Sequence, residues 1–216
     1  MRTVKFAMVD MLRCKLQIMF LILFSVISFL MGKDGGIVMS LLYMCFVSVI
    51  ISTQPFMLEQ MAESGFINML PLRKKERVMG RYVFGACLVL LGIVMAVVVS
   101  FISNSLFQAD MAYWDAAICC VAGVGLLIVS LQYTCYFGVG KFKSQQLASI
   151  IMMIPGFVLF FGGRALMESI LMDAAKHKMV VDHIGILSVS VLGIGIVAWF
   201  LGIQISYGLV RNRDMS

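Results

Sequence analysis

Two histidines, His177 and His183, are the first candidates for chemistry in this 216-residue chain. A metal-dependent protease working inside a membrane needs His ligands at helical spacing beside a Glu base, as in His-Glu-x-x-His. No such run exists here, and both histidines fall in one loop between apolar segments. A phosphatidyl-transferring site would need several Asp residues clustered on adjacent helix turns to hold metal ions, but Asp34-Gly35 stands alone. Gly138-Val139-Gly140-Lys141 lacks the four-residue spacing, and the Ser or Thr after Lys, that a phosphate-cradling loop requires. The six cysteines, Cys14, Cys45, Cys87, Cys119, Cys120 and Cys135, lie in or beside apolar runs without metal-ligand spacing. They read as small apolar residues. Catalysis, a bound metal and a cofactor are therefore not expected on this chain.

The surrounding composition explains why chemistry is scarce. Hydrophobic residues make up 62% of the chain, charged residues 13%, and the mean hydropathy is +1.01. Soluble domains are nearer half apolar and a quarter charged. A water-soluble fold of this size could not hide so much apolar surface, so lipid must solvate most of it. A helix needs about 20 apolar residues to cross about 30 Å of hydrocarbon. Runs of that kind fall at 16–32, 36–57, 82–106, 114–138, 145–162 and 184–209. The expected fold is an all-α membrane protein of six transmembrane helices, forming one domain over 1–216. The N-terminus lacks the cleavage site of a signal peptide. Nineteen methionines read as flexible packing, or as an adaptable surface for varied apolar cargo.

Lys and Arg set the expected orientation. Thirteen of them fall in the N-terminal segment, the loops after spans two and four, and the tail. Four, Lys33, Arg164, Lys176 and Lys178, fall on the other side. Positive charge stays inside, so both termini are expected in the cytoplasm. The net charge of +6 is thereby a topology signal. No nucleic-acid partner is expected, because no basic patch is interleaved with exposed aromatics.

Three segments are neither span nor plain loop. In residues 2–14, Val4, Ala7, Met8, Met11 and Leu12 form an apolar stripe at helical spacing, with Arg2, Lys5, Asp10 and Arg13 facing away. This predicts an interfacial helix lying on the inner leaflet, with its cations among anionic headgroups. After span five, Gly162-Gly163 permits a sharp break. Leu166, Met167, Ile170, Leu171 and Ala174 then make a second stripe, opposite Glu168, Ser169, Asp173, Lys176 and His177. This segment is too polar on one face to cross. It predicts a re-entrant outer helix, either a gate built on Gly162, Gly163, Leu166, Ile170 and Leu171 or a cap.

The third segment, 57–82, joins spans two and three. Glu59 and Glu63 share a helical face, Gly65 can end that helix, and Phe66, Ile67, Met69 and Leu70 form a short apolar knob. Pro71 disfavours helix at Leu70 and suits the start of the next one. Arg73, Lys74, Lys75, Arg77 and Arg81 then lead into span three. The charges anchor this loop inside. An apolar knob on that side calls for a protein partner or burial against the bundle.

At this loop the chain resembles the permease subunits of ABC-2-type transporters, in the branch made of small, separate six-span proteins. Their pattern is an acidic residue ending span two, a coupling helix, Leu-Pro, a hydrophobic residue, Ser, Arg, Lys-Glu, a hydrophobic residue and Val. Glu59, Leu70, Pro71, Leu72, Lys75, Glu76 and Val78 fit it. Arg73 stands where Ser is usual, Lys74 where Arg is usual, and Arg77 where an aliphatic residue is usual. The resemblance implies one half of an exporter's path in the bacterial plasma membrane. It implies a second permease copy or paralogue, and a separate cytoplasmic ABC ATPase that binds ATP and Mg²⁺ and receives the coupling helix in a groove.

Two other readings fit parts of the chain. Substrate-capture membrane subunits of vitamin-type importers are also small six-span proteins. They need a polar outer pocket, whereas Gln54, Asn104, Gln132 and Gln204 are scattered. They have no evident need for the Leu70-Pro71 knob. A scaffold or channel half without an ATPase is the other. Small residues on span six (Ser188, Ser190, Gly193, Gly195) and span four (Gly123, Gly125) suit close helix packing, within one chain or between copies.

Overall fold

The computed structural model describes residues 2–61, 73–107, 114–139 and 174–212, with Ile154, Phe157, Phe161 and Gly162. The described residues form helices and no strands: α1 (Arg2–Arg13), α2 (Lys15–Ser52), α3 (Gln54–Met61), α4 (Lys74–Phe107), α5 (Trp114–Val139) and α6 (Ala174–Asn212). Among the described residues, four stretches are long and apolar enough to cross a membrane: Leu41–Leu58, Lys74–Ile102, Trp114–Gly138 and His183–Arg211. They correspond to expected spans two, three, four and six. The first span is represented by the shorter apolar stretch Lys15–Ser25. The fifth span, apart from Ile154, Phe157, Phe161 and Gly162, and the outer segment 163–173 lie outside the described residues.

Helical backbone continues from Lys15 to Ser52, where the sequence suggests two helices. A straight helix would hold Phe24 and Tyr43 about 28 Å apart at 1.5 Å per residue. Their rings instead meet edge to face at 6.1 Å, so α2 doubles back between them. The midpoint of the pair is Lys33-Asp34, beside Gly35-Gly36, whose missing Cβ atoms suit a sharp bend. The hairpin of spans one and two is thus made without an extended loop. At the other end of the chain, α6 is already helical at Ala174, ahead of the expected start at Ile184, because no Gly or Pro separates Lys176-His177-Lys178 from the apolar run.

Helices approach where glycines leave room. Gly123 on α5 and Gly195 on α6 lie backbone against backbone, and a Cβ on Gly195 would overlap the Gly123 carbonyl. These small residues therefore serve packing inside one chain. A Cβ at Gly193, in contrast, meets nothing within 4 Å. Gly195→Val is expected to cost about 1–3 kcal/mol or more by forcing α5 and α6 apart. Gly193→Val should stay within about 0.5 kcal/mol. Unfolding midpoints in mixed micelles check the pair, and equal midpoints would contradict this helix crossing.

Candidate functional site

The described part of the loop between spans two and three is its frame. α3 brings the chain to the loop and carries Glu59, and α4 takes it away. The Arg73 backbone N–H donates to Glu76 Oε2 at 3.1 Å, which satisfies a donor at the start of α4 in the manner of a capping box. Arg73, Lys74 and Lys75 are exposed beside it. Glu63, Gly65, Phe66, Ile67, Met69, Leu70 and Pro71 lie outside the described residues. So do Gly163, Leu166, Ile170 and Leu171 of the outer segment. Gly162 is described and exposed, next to Phe161, which stacks on Phe157 at 6.1 Å. Phe157 in turn meets Phe46 of α2 at 5.6 Å.

Two turns into α4 the basic run changes character. Arg81 is one of the largest fully buried side chains, 1% exposed. Its Nε lies 3.0 Å from Oδ2 of Asp10 on α1, which is also 1% exposed. The guanidinium carbon sits 4.7 Å from the ring centre of Phe56 on α3 and 5.5 Å from that of Phe6 on α1. An Arg between two aromatic faces gains cation–π attraction, largest when desolvated. The expectation that Asp10 faces away with Arg2, Lys5 and Arg13 is therefore corrected. The buried face of α1 is Phe6, Ala7 and Asp10, continued by Cys14 between α1 and α2. Gly80 makes room for it, because a Cβ there would meet the Phe6 ring. Val4, Met8 and Leu12 point outward instead, 54–70% exposed, as a lipid-facing stripe should be. Cys14 is pushed up to about 11 by burial and then by the Asp10 charge, so it stays a packed thiol.

Around this pair the same end of the bundle is laced together. Phe56 packs against Tyr133, Tyr136 and Phe137 of α5, with ring centres 4.8, 3.9 and 5.7 Å away. The Tyr133 hydroxyl donates to the Ser52 carbonyl at 2.8 Å, tying α5 to the end of α2. The Tyr82 hydroxyl is 2.9 Å from Ser206 Oγ on α6 and 3.0 Å from Thr134 Oγ1 on α5. Segments from each of the six described helices thus meet within one layer. It sits at the root of the loop that the sequence singles out.

Comparison with known families decides the class. The sequence profile of the ABC-2 family transporter proteins matches residues 8–209. The chain belongs to that family. It is accordingly a multi-pass membrane subunit of an ABC transporter, of a kind that is typically non-catalytic and works with an ABC ATPase. A search among curated proteins finds no match.

Arg81, Asp10, Phe56, Tyr82 and Tyr133 escaped the sequence reading as a group. Arg81 counts there as an inside anchor, and Asp10 as part of a polar face. One signal pointed to Asp10: it is the only acidic residue before Asp34, set among apolar neighbours. A lone carboxylate there needs a cationic partner.

Proposed function

We propose that this chain is the permease subunit of an ATP-driven exporter. It forms half of the translocation path with a second copy or a paralogue. It receives motion from a separate cytoplasmic ABC ATPase through residues 57–82. The observation that supports this best is the frame of that loop. α3 and α4 are joined to each other and to α1 by the buried Arg81, whereas Arg73, Lys74 and Lys75 stay exposed at the edge. A rigid root under an apolar knob is what a push from outside the membrane requires. Glu59, Glu63, Gly65 and Pro71 shape the knob, and Phe66, Ile67, Met69 and Leu70 enter the partner. The opposite end closes on Gly162, Gly163, Leu166, Ile170 and Leu171 as an outer gate.

Two measurements test this. The chain is co-expressed with an ABC ATPase subunit from its own organism, and the ATPase is recovered through a tag on the membrane chain. Recovery with ATP hydrolysis is expected, and a membrane chain that brings down no ATPase contradicts the reading. Single cysteines in a Cys-free background test the orientation. Those at Lys33, Asp110 and Lys178 should label from outside cells, and those at Lys75, Lys143 and Arg213 should not. Outside labelling at Lys75 would place the loop on the wrong side for a cytoplasmic partner.

A further inference from the structure

The Asp10–Arg81 pair is an unusual fastening. Two charges buried in an apolar layer lose hydration, and their attraction offsets that loss only with good geometry; well-packed apolar residues of similar volume often do as well or better. Holding α1 against the bundle would therefore not by itself call for charge. What the pair adds is direction and reach. A guanidinium is a planar fork, able to meet a carboxylate at its edge and aromatic rings at its faces. Arg81 makes both kinds of contact, with Asp10 and Phe6 on α1 and Phe56 on α3, while belonging to α4 itself. α3 and α4 are the two arms on either side of 62–72. One side chain thus references the interfacial helix to both arms of the loop.

We propose that Asp10 and Arg81 are positioning residues that make α1 move as one body with the two arms of the loop. Motion delivered by the ATPase then reaches the helix whose outer face, Val4, Met8 and Leu12, is apolar and exposed. This rests on the coupling reading above and adds α1 to the moving part. The tie is polar and local, so its loss should uncouple motion without dismantling the bundle, which the α4–α5–α6 contacts hold independently.

The test uses the full complex with its ATPase in lipid vesicles, in a Cys-free background. Nitroxides at Met8 and Lys75, both exposed, report the distance between α1 and the start of α4. They are read without nucleotide and with ATP and vanadate. A cysteine at the exposed Ser105, near the far end of α4, reports by its maleimide labelling rate whether nucleotide trapping reaches that end. The wild type should keep one narrow Met8–Lys75 distribution in both states, and its Ser105 labelling should change on trapping. Asp10→Asn should broaden the distribution. The double variant Asp10→Leu, Arg81→Met restores an apolar contact, so it should fold and recover ATPase like the wild type. Its nucleotide-driven change at Ser105 should nevertheless fall at least about fivefold, the small end of measured couplings between sites. Transmission equal to the wild type in that double variant would show a merely structural contact and overturn the proposal. If the double variant does not fold, Arg81→Lys decides. It keeps the charge and loses the fork, and undiminished transmission in it would equally overturn the proposal. A wild-type chain that recovers no ATPase would bring down the coupling reading and this inference together.

Discussion

Arg81→Ala should lower the stability of the chain by about 3–5 kcal/mol, the usual result of removing one partner of a buried ion pair. The loss has two parts. Asp10 would be left in a layer where it is 1% exposed with no guanidinium beside it, an unpaired polar group cut off from water. Phe6 and Phe56 would lose the cation between them, a further contribution of about 0.5–2 kcal/mol that overlaps with the first. The neighbouring cations provide the contrast. Lys74 and Lys75 are exposed, and Lys74→Ala should change stability by less than about 0.5 kcal/mol. The two residues stand seven positions apart on one helix and add equally to the charge bias that orients the chain. Unfolding midpoints in mixed micelles separate them. Equal midpoints for Arg81→Ala and Lys74→Ala would mean that Arg81 is a solvated anchor and that the buried pair does not exist.

The legible and illegible parts of this fold divide along a physical line. Apolar length is written openly in sequence, because about 30 Å of hydrocarbon demands it. Spans two, three, four and six follow from it. The reversal between spans one and two is legible too, from Lys33-Asp34-Gly35-Gly36, and the Phe24–Tyr43 contact confirms it. That the bend is made in helical backbone was not legible, since glycine permits a bend in either a loop or a helix. Rotation of a helix about its own axis is harder still. Of the apolar stripe Val4, Ala7, Met8, Met11 and Leu12, only Val4, Met8 and Leu12 face outward, whereas Ala7 is buried and Met11 half-buried, because in lipid an apolar stripe faces outward as readily as inward. The packed face of α1 is set instead by Gly80 and Arg81 on a helix about 70 residues later in the chain. No local pattern reports such a partner. The small residues show the same limit: Gly123 and Gly195 pack inside one chain while Gly193 faces outward, although all three look alike in sequence.

The proposed coupling to an ATPase rests on the apolar knob of the loop. In the sequence Phe66, Ile67, Met69 and Leu70 lie between Gly65 and Pro71, followed by the exposed Arg73, Lys74 and Lys75. Burying one such side chain in a groove is worth roughly 1.5–3 kcal/mol. Phe66→Ala with Leu70→Ala should therefore weaken ATPase association by about 3–6 kcal/mol, enough to lose the partner on purification, while the membrane chain itself stays folded. Lys74→Ala should change mainly the salt dependence, because an exposed pair is screened and worth at most about 1 kcal/mol. Co-purification of the ATPase with wild-type chain, with Lys74→Ala and with the Phe66→Ala, Leu70→Ala double variant is the most direct measurement. Full recovery is expected for the first, salt-sensitive recovery for the second and little or none for the third. Equal ATPase recovery and equal hydrolysis in all three would contradict the coupling role of the knob, leaving the loop as an anchor and placing the coupling to the ATPase elsewhere on the chain.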